Sequence, residues 1–272
     1  PEPSPTPVPS PEPPSSTSAP SPSPVLSPEP SPSPRVEPPS PTPTAVLGPV
    51  VRSSRSDLTL SFVDEFLRIK SSDYASGAEA TLLSTASRGL ALVWGHNWSE
   101  NLRSNLTMQT LTVSLQEPSS STKTLTNKTN AVALFQCGID YKQSENLFWV
   151  SSLAVNENLV SRSTSSSTIT IEKFVVPFFV EGLEYKILQI DNLAMKAIGH
   201  LHFVLPASQE NYDSKFSFGR KIGLGVVDAL GSYNIKGEAF YQRLNLNMSN
   251  VGFDQTNLGV TIGIEKKLGG LD

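Results

Sequence analysis

His200 and His202 are the residues whose types and spacing come nearest to chemistry. Two imidazoles at i and i+2 share one face of a strand, a spacing that can begin a metal site. A working site needs a third ligand, and no Cys, His, Asp or Glu cluster lies beside them in the sequence. The pair is therefore expected as polar interior residues, with no metal and no other cofactor. Gly219, Gly223 and Gly225 resemble a phosphate-cradling loop at first glance. They alternate within a strand with no strand-to-helix turn after them, so they are expected as small inward residues of a narrow interior. Ser87-Arg88-Gly89 has no partner for a nucleophile. The glycosylation-type matches at Asn97, Asn105, Asn127 and Asn247 arise by chance in a Ser/Thr-rich chain.

The elements that must position these residues show two-residue alternation from about Ser56 onward. Leu258, Val260, Ile262 and Ile264 alternate with Gly259, Thr261, Gly263 and Glu265. Ala131, Ala133, Phe135, Cys137, Ile139 and Tyr141 lie opposite Gln136, Asp140 and Lys142, and Leu193, Met195, Leu201 and Phe203 oppose Lys196, His200 and His202. Tyr233, Ile235, Ala239 and Tyr241 do the same against Asn234, Lys236, Glu238 and Gln242. Period two means strands with one apolar and one polar face. Short turns are expected at 99–101, 144–146, 190–192 and 230–232. Long polar segments are expected at 71–77, 117–129, 156–166, 206–215 and 249–255. That alternation predicts strands over 57–70, 78–98, 102–116, 130–143, 147–156, 167–189, 193–205, 216–229, 233–248 and 256–268. Ten strands put both ends of the strand region on the short-turn side.

Strand length separates a membrane barrel from a soluble sandwich. Membrane strands need about 9 to 11 residues, whereas globular strands cluster near 5 to 6. Trp94, Trp98, Tyr141 and Trp149, with Tyr185, fall near short turns, where an interfacial aromatic girdle would lie. Arg220 interrupts an otherwise apolar face and is expected near the outer interface. The apolar phase flips between Met108 and Leu111, which implies a bulge or a boundary error. Segment 57–70 alternates, yet Phe62, Phe66 and Ile69 would also suit a helix. Segment 167–189 exceeds a span and holds Pro177, so it extends above the membrane or breaks there.

Composition divides the chain. Twenty of the 23 prolines fall within the first 49 residues, mostly as Pro-Glu-Pro, Ser-Pro and Thr-Pro. Residues 1–55 are therefore expected as a disordered, extended tail and residues 56–272 as the barrel. A formal net charge of −4 leaves no electrostatic footprint for nucleic acid. One cysteine, Cys137, excludes an internal disulfide framework. No apolar run approaches a transmembrane helix. The chain opens at Pro1, so any export signal is expected to have been removed, and no lipidated N-terminal cysteine is expected.

The pattern resembles the β-barrel outer membrane proteins of Gram-negative bacteria. The likeness rests on the Trp98-Ser-Glu-Asn-Leu102 and Gln143-Ser-Glu-Asn-Leu147 hairpins and the closing strand Leu258 to Leu268. It implies an all-β, antiparallel, up-and-down transmembrane barrel in the outer membrane, in contact with lipid. One departure is the ending Leu268-Gly-Gly-Leu-Asp272 in place of a C-terminal aromatic, which would require a different assembly signal. Ten-stranded membrane proteases use paired acids with a histidine near the outer rim. Asp213 beside His200 or His202 is the only echo, so no enzyme is expected. Glu79, Lys196, His200, His202, Lys236, Glu238, Glu265 and Lys267 are expected as a polar lumen network that plugs a narrow barrel. The expected role is structural or interactive, with the tail as a periplasmic tether to cell wall or to a periplasmic protein. A narrow porin-like channel and a soluble sandwich on a proline-rich stalk are the alternatives.

Overall fold

The computed structural model describes residues 55–73, 79–116, 124–163, 168–209, 212–249 and 251–268. The proline-rich segment expected at 1–55 lies outside them apart from Arg55. Thirteen strands are formed: β1 (Arg55–Asp73), β2 (Glu79–Asn97), β3 (Leu102–Gln116), β4 (Thr124–Thr126), β5 (Thr129–Lys142), β6 (Leu147–Ser163), β7 (Thr168–Ile190), β8 (Leu193–Val204), β9 (Ala207–Gln209), β10 (Tyr212–Lys215), β11 (Ser217–Leu230), β12 (Tyr233–Met248) and β13 (Val251–Leu268). All except β4, β9 and β10 form the wall, each antiparallel to its neighbours. β1 closes the sheet on β13, from Ser56 opposite Leu268 to Asp73 opposite Val251. Closure leaves the ten-stranded wall without an open ladder edge, the condition a sheet must meet in hydrocarbon.

The turn end is built from local signals. In both Ser-Glu-Asn-Leu hairpins the two residues before the glutamate bond the leucine carbonyl. Trp98 N–H donates to Leu102 at 3.0 Å and Gln143 N–H to Leu147 at 2.9 Å. The other two turns are two residues long, and Asp191 (φ 48°) and Gly231 (φ 64°) supply the left-handed backbone that matches strand twist. Segment 57–70 is strand throughout, not helix: it pairs in unbroken register with β13, Leu58, Leu60, Phe62 and Phe66 facing outward and Val63, Leu67 and Ile69 inward.

At the loop end the strands run further than alternation indicated. β6 reaches Ser163 and β13 begins at Val251, within segments expected as loops. β7 does not break at Pro177. Leu205 N–H bonds the Pro177 carbonyl at 2.9 Å, and the proline cannot return that bond, so the β7–β8 ladder ends there instead. The expected loop at 117–129 contains β4, which pairs in parallel with β7 through Leu125 and Ile169.

The governing feature is an inversion of polarity along strands such as β3 and β12, whereas β11 keeps Phe218, Ile222 and Leu224 outward. In β12 the residues Asn234, Lys236, Glu238 and Gln242 point inward, followed on the same face by Leu244, Leu246 and Met248. On the outer face Tyr233, Ile235 and Tyr241 give way to Arg243, Asn245 and Asn247. β3 changes at the same place, from inward Arg103, Asn105 and Gln109 to inward Leu111, Val113 and Leu115. Its pairing is regular through Met108 and Leu111, so the expected bulge is absent. The change of phase is a change of surroundings: apolar outside and polar inside below it, the reverse above it.

Above the inversion the interior is a packed core. Ile69, Val160, Phe174 and Val176 are fully buried there. Leu159 and Val160 are buried in succession, so both faces of the β6–β7 hairpin are covered. The Ser71 and Ser161 hydroxyls meet at 2.7 Å, bringing β6 against β1 across the barrel.

Candidate functional site

The lower lumen carries the charged groups, each on the inward face of a wall strand. Arg103 of β3 is the hub. Its Nη2 donates to Asp57 at 2.6 Å and lies 4.0 Å from Glu265, and its Nη1 donates to Asp140 at 3.4 Å. Asn105 also donates to Asp140 at 2.9 Å. Across the lumen, Lys196 donates to Glu184 at 2.6 Å, and His200 Nε2 stands 3.6 Å from that carboxylate. Lys221 pairs with Glu238 at 2.5 Å. Glu265 accepts from Lys236 and from Asn234, and from the Thr59 hydroxyl at 3.4 Å. A buried charge left alone costs several kcal/mol, so these reciprocal pairs are what permit a charged interior.

The predicted network residues divide as follows. Lys196, His200, His202, Lys236, Glu238 and Glu265 point into the lumen, and Lys267 lines its mouth. Glu79 does not join them. It lies on the exterior at the far end of β2, ion-paired with Lys70 at 2.8 Å, because beyond the inversion the polar face is the outer one. Asp57, Arg103, Asp140, Glu184 and Lys221 were not singled out in the sequence. Their signal was available: each occupies the polar phase of its own alternating strand.

Two cavities open at the turn end, about 260 and 420 Å³, and share Arg103. A third of about 190 Å³ lies deeper, with a polar floor of Gln136, His200, His202 and Asn257 and an apolar roof of Val113 and Phe178. His202 Nε2 is buried without a partner, and the ring meets Phe178 edge-on with centroids 6.2 Å apart. Among the described residues no three His, Cys, Asp or Glu side chains are placed to hold a metal. Asp213 is exposed on β10, bonded by Ser208, whereas His200 and His202 face the lumen.

The exterior below the inversion is apolar: Leu60 (56% exposed), Phe62, Leu90, Ile222, Leu258 and Ile262 (63%) all project outward. Interrupted by the exposed Arg88–Asp64 ion pair at 3.4 Å, an apolar surface of this extent still exceeds what a water-facing protein displays. Trp94, Trp98, Tyr141, Trp149 and Tyr185 also point outward, toward the turn end. Trp98 Nε1 donates to Ser104 at 3.0 Å and Trp149 Nε1 to Glu181 at 2.5 Å, which gives each amphipathic ring a polar anchor. Arg220 is exposed on the outer face, three residues from the loop end of β11.

No protein-family model matches the chain, and no curated protein matches it. Solved structures that it is similar to are outer membrane proteins. The outer membrane protease OmpT from Escherichia coli aligns at 11% identity and TM-score 0.45, covering 79% of this chain and 96% of that one. An outer membrane channel from Pseudomonas putida F1 aligns at 7% identity and TM-score 0.42, covering 79% and 96%. The translocator domain of the autotransporter NalP from Neisseria meningitidis aligns at 13% identity and TM-score 0.38, covering 74% and 87%. The chain itself is a closed, ten-stranded, antiparallel β-barrel.

Proposed function

We propose that this chain is a non-enzymatic outer-membrane barrel that anchors and presents, with its proline-rich segment as a periplasmic tether. The observation that carries the reading is the filled interior. A polar lumen of paired charges passes into a core where Ile69, Phe174 and Val176 have no exposed surface. Such a barrel holds position in a bilayer without offering solutes a wide path. The exterior apolar band and the outward aromatic side chains support residence in lipid. β1 starts and β13 ends at the turn end, so the tether joins the barrel on the side that faces the periplasm in such proteins. Extended proline-rich chain rises about 3.1 Å per residue, so about 45 such residues would reach on the order of 140 Å, enough to engage cell wall or a periplasmic protein.

Planar-bilayer recording on the purified full chain tests the reading. Insertion without discrete conductance steps is the expected result. Sustained steps of porin size would establish a channel instead.

A further inference from the structure

The outer wall carries a row of arginines set in register, above the apolar band on β1 and β12 and within it on β11, where Arg220 lies between Ile222 and Phe218. Arg68 of β1 is opposite Thr256 of β13, Thr256 is opposite Arg243 of β12, and Arg243 is opposite Arg220 of β11. The outward row directly beneath is Phe66, Leu258, Tyr241 and Ile222, paired across the same four strands. The row above is polar on three of these strands, with Lys70 opposite Asp254 and Asp254 opposite Asn245, and aromatic on β11, where Phe218 stands opposite Phe203 of β8. Like charges set directly opposite on adjacent strands destabilise a sheet unless an anion bridges them. Arg243 is held by Asp254, at 3.1 Å from Nε and 2.5 Å from Nη2. Arg68 and Arg220 are exposed and have no ion-pair partner among the described residues. A groove of about 620 Å³ adjoins the row, lined by Lys70, Phe216, Phe218, Asn245 and Asp254.

We propose that this wall binds the phosphate headgroup of a membrane lipid, with Arg220 and Arg243 gripping phosphate oxygens and Arg68 reaching the same head from β1. The planar guanidinium suits bidentate phosphate contact, and the apolar row beneath receives the acyl chains. An amphiphile with its charge directly above its chains matches both rows together; a free anion matches only one. The proposal rests on the barrel lying in a bilayer.

Native mass spectrometry of the detergent-solubilised full chain tests it, with short-chain phosphatidic acid, short-chain phosphatidylcholine and inorganic phosphate as probes. Phosphatidic acid is expected to be retained about tenfold better than phosphatidylcholine, at roughly the contribution of one to two basic residues near an anionic headgroup. The double variant Arg68→Gln/Arg220→Gln is expected to bring the two lipids within about twofold. Equal retention by the unaltered chain, or a preference that survives in the double variant, overturns the site. Inorganic phosphate binding as tightly as the lipid overturns the lipid as occupant. A second variant, Arg68→Lys/Arg220→Lys, keeps the charge without the planar fork and is expected to lose about half of the preference. An unchanged preference there overturns the grip. Heat-modifiable gel migration of each sample separates the two failures. A barrel that shifts on boiling but shows no lipid preference refutes this inference alone. A chain that needs no detergent and shows no shift refutes the membrane reading beneath it.

Discussion

Arg103 and Asp57 meet above Gly95, their side chains 2.6 Å apart although a whole strand separates β3 from β1. A Cβ at Gly95 would stand 2.2 Å from Arg103 Nη2 and 2.6 Å from Asp57 Oδ1. The guanidinium could swing aside, but only by leaving Asp57, Asp140 and Glu265. Gly95→Ala is therefore expected to destabilise the barrel through lost pairing more than through overlap. Arg103→Ala removes the shared cation outright and is expected to cost about 3 to 5 kcal/mol. The temperature at which the compact gel form converts to the unfolded form should fall for both variants, further for Arg103→Ala. An unchanged transition would show that the pair is incidental to the fold.

The polarity inversion predicts opposite tolerance at two positions on one face of one strand. Ile262 and Thr256 both point outward from β13, the first within the apolar band and the second level with the arginine row. Ile262→Arg is expected to cost about 2 to 4 kcal/mol in lipid vesicles, as for a cation at mid-membrane. Thr256→Arg faces Arg68 and Arg243 across the sheet, so it is expected to fall within about 1 kcal/mol of the parent, the range near an interface, once high salt screens that repulsion. Urea unfolding in vesicles measures both. Equal costs would mean that hydrocarbon does not end between these two residues.

The wall was legible in the sequence wherever the outward phase is apolar, which is why β8 and β12 fall within about a residue of their expected bounds. Beyond the inversion the same pattern misleads. A period-two signal carries phase but not the identity of the medium on each side. Met108 and Leu111 therefore suggested a bulge, when the strand is straight and the surroundings exchange. The loop ends of β6 and β13 disappeared for the same reason, and β4, β9 and β10 are too short to show any period. The network was partly legible. Lys196, Lys236 and Glu265 follow from their strands, but nothing in the sequence brings Arg103 to Asp57, since that meeting depends on curvature and on Gly95. Glu79 was misplaced because it lies beyond the inversion.

The upper core predicts that stability and closure reside in the same side chains. Phe174 is fully buried and packs edge-on against Tyr212 with centroids 5.8 Å apart. Phe174→Ala is expected to cost about 3 to 5 kcal/mol, as for other buried aromatic truncations. Thermal conversion on gels measures the loss. A cost under about 1 kcal/mol, the size expected at surface positions, would mean that this end of the barrel is loosely filled.

Cys137 provides a test of which way the wall faces. It lies on β5 opposite Leu106 and Leu153, on the exposed outward phase shared by Phe135 and Ile139. A thiol in hydrocarbon does not meet a charged reagent, because moving the reagent's charge out of water is costly. In vesicles, a charged maleimide is therefore expected to label Cys137 on the order of a hundredfold more slowly than in urea-unfolded chain. A small uncharged maleimide should narrow that difference, since it partitions into lipid. If the charged reagent labelled folded and unfolded chains at similar rates, β5 would present this face to water, and the apolar exterior would have to be buried against protein.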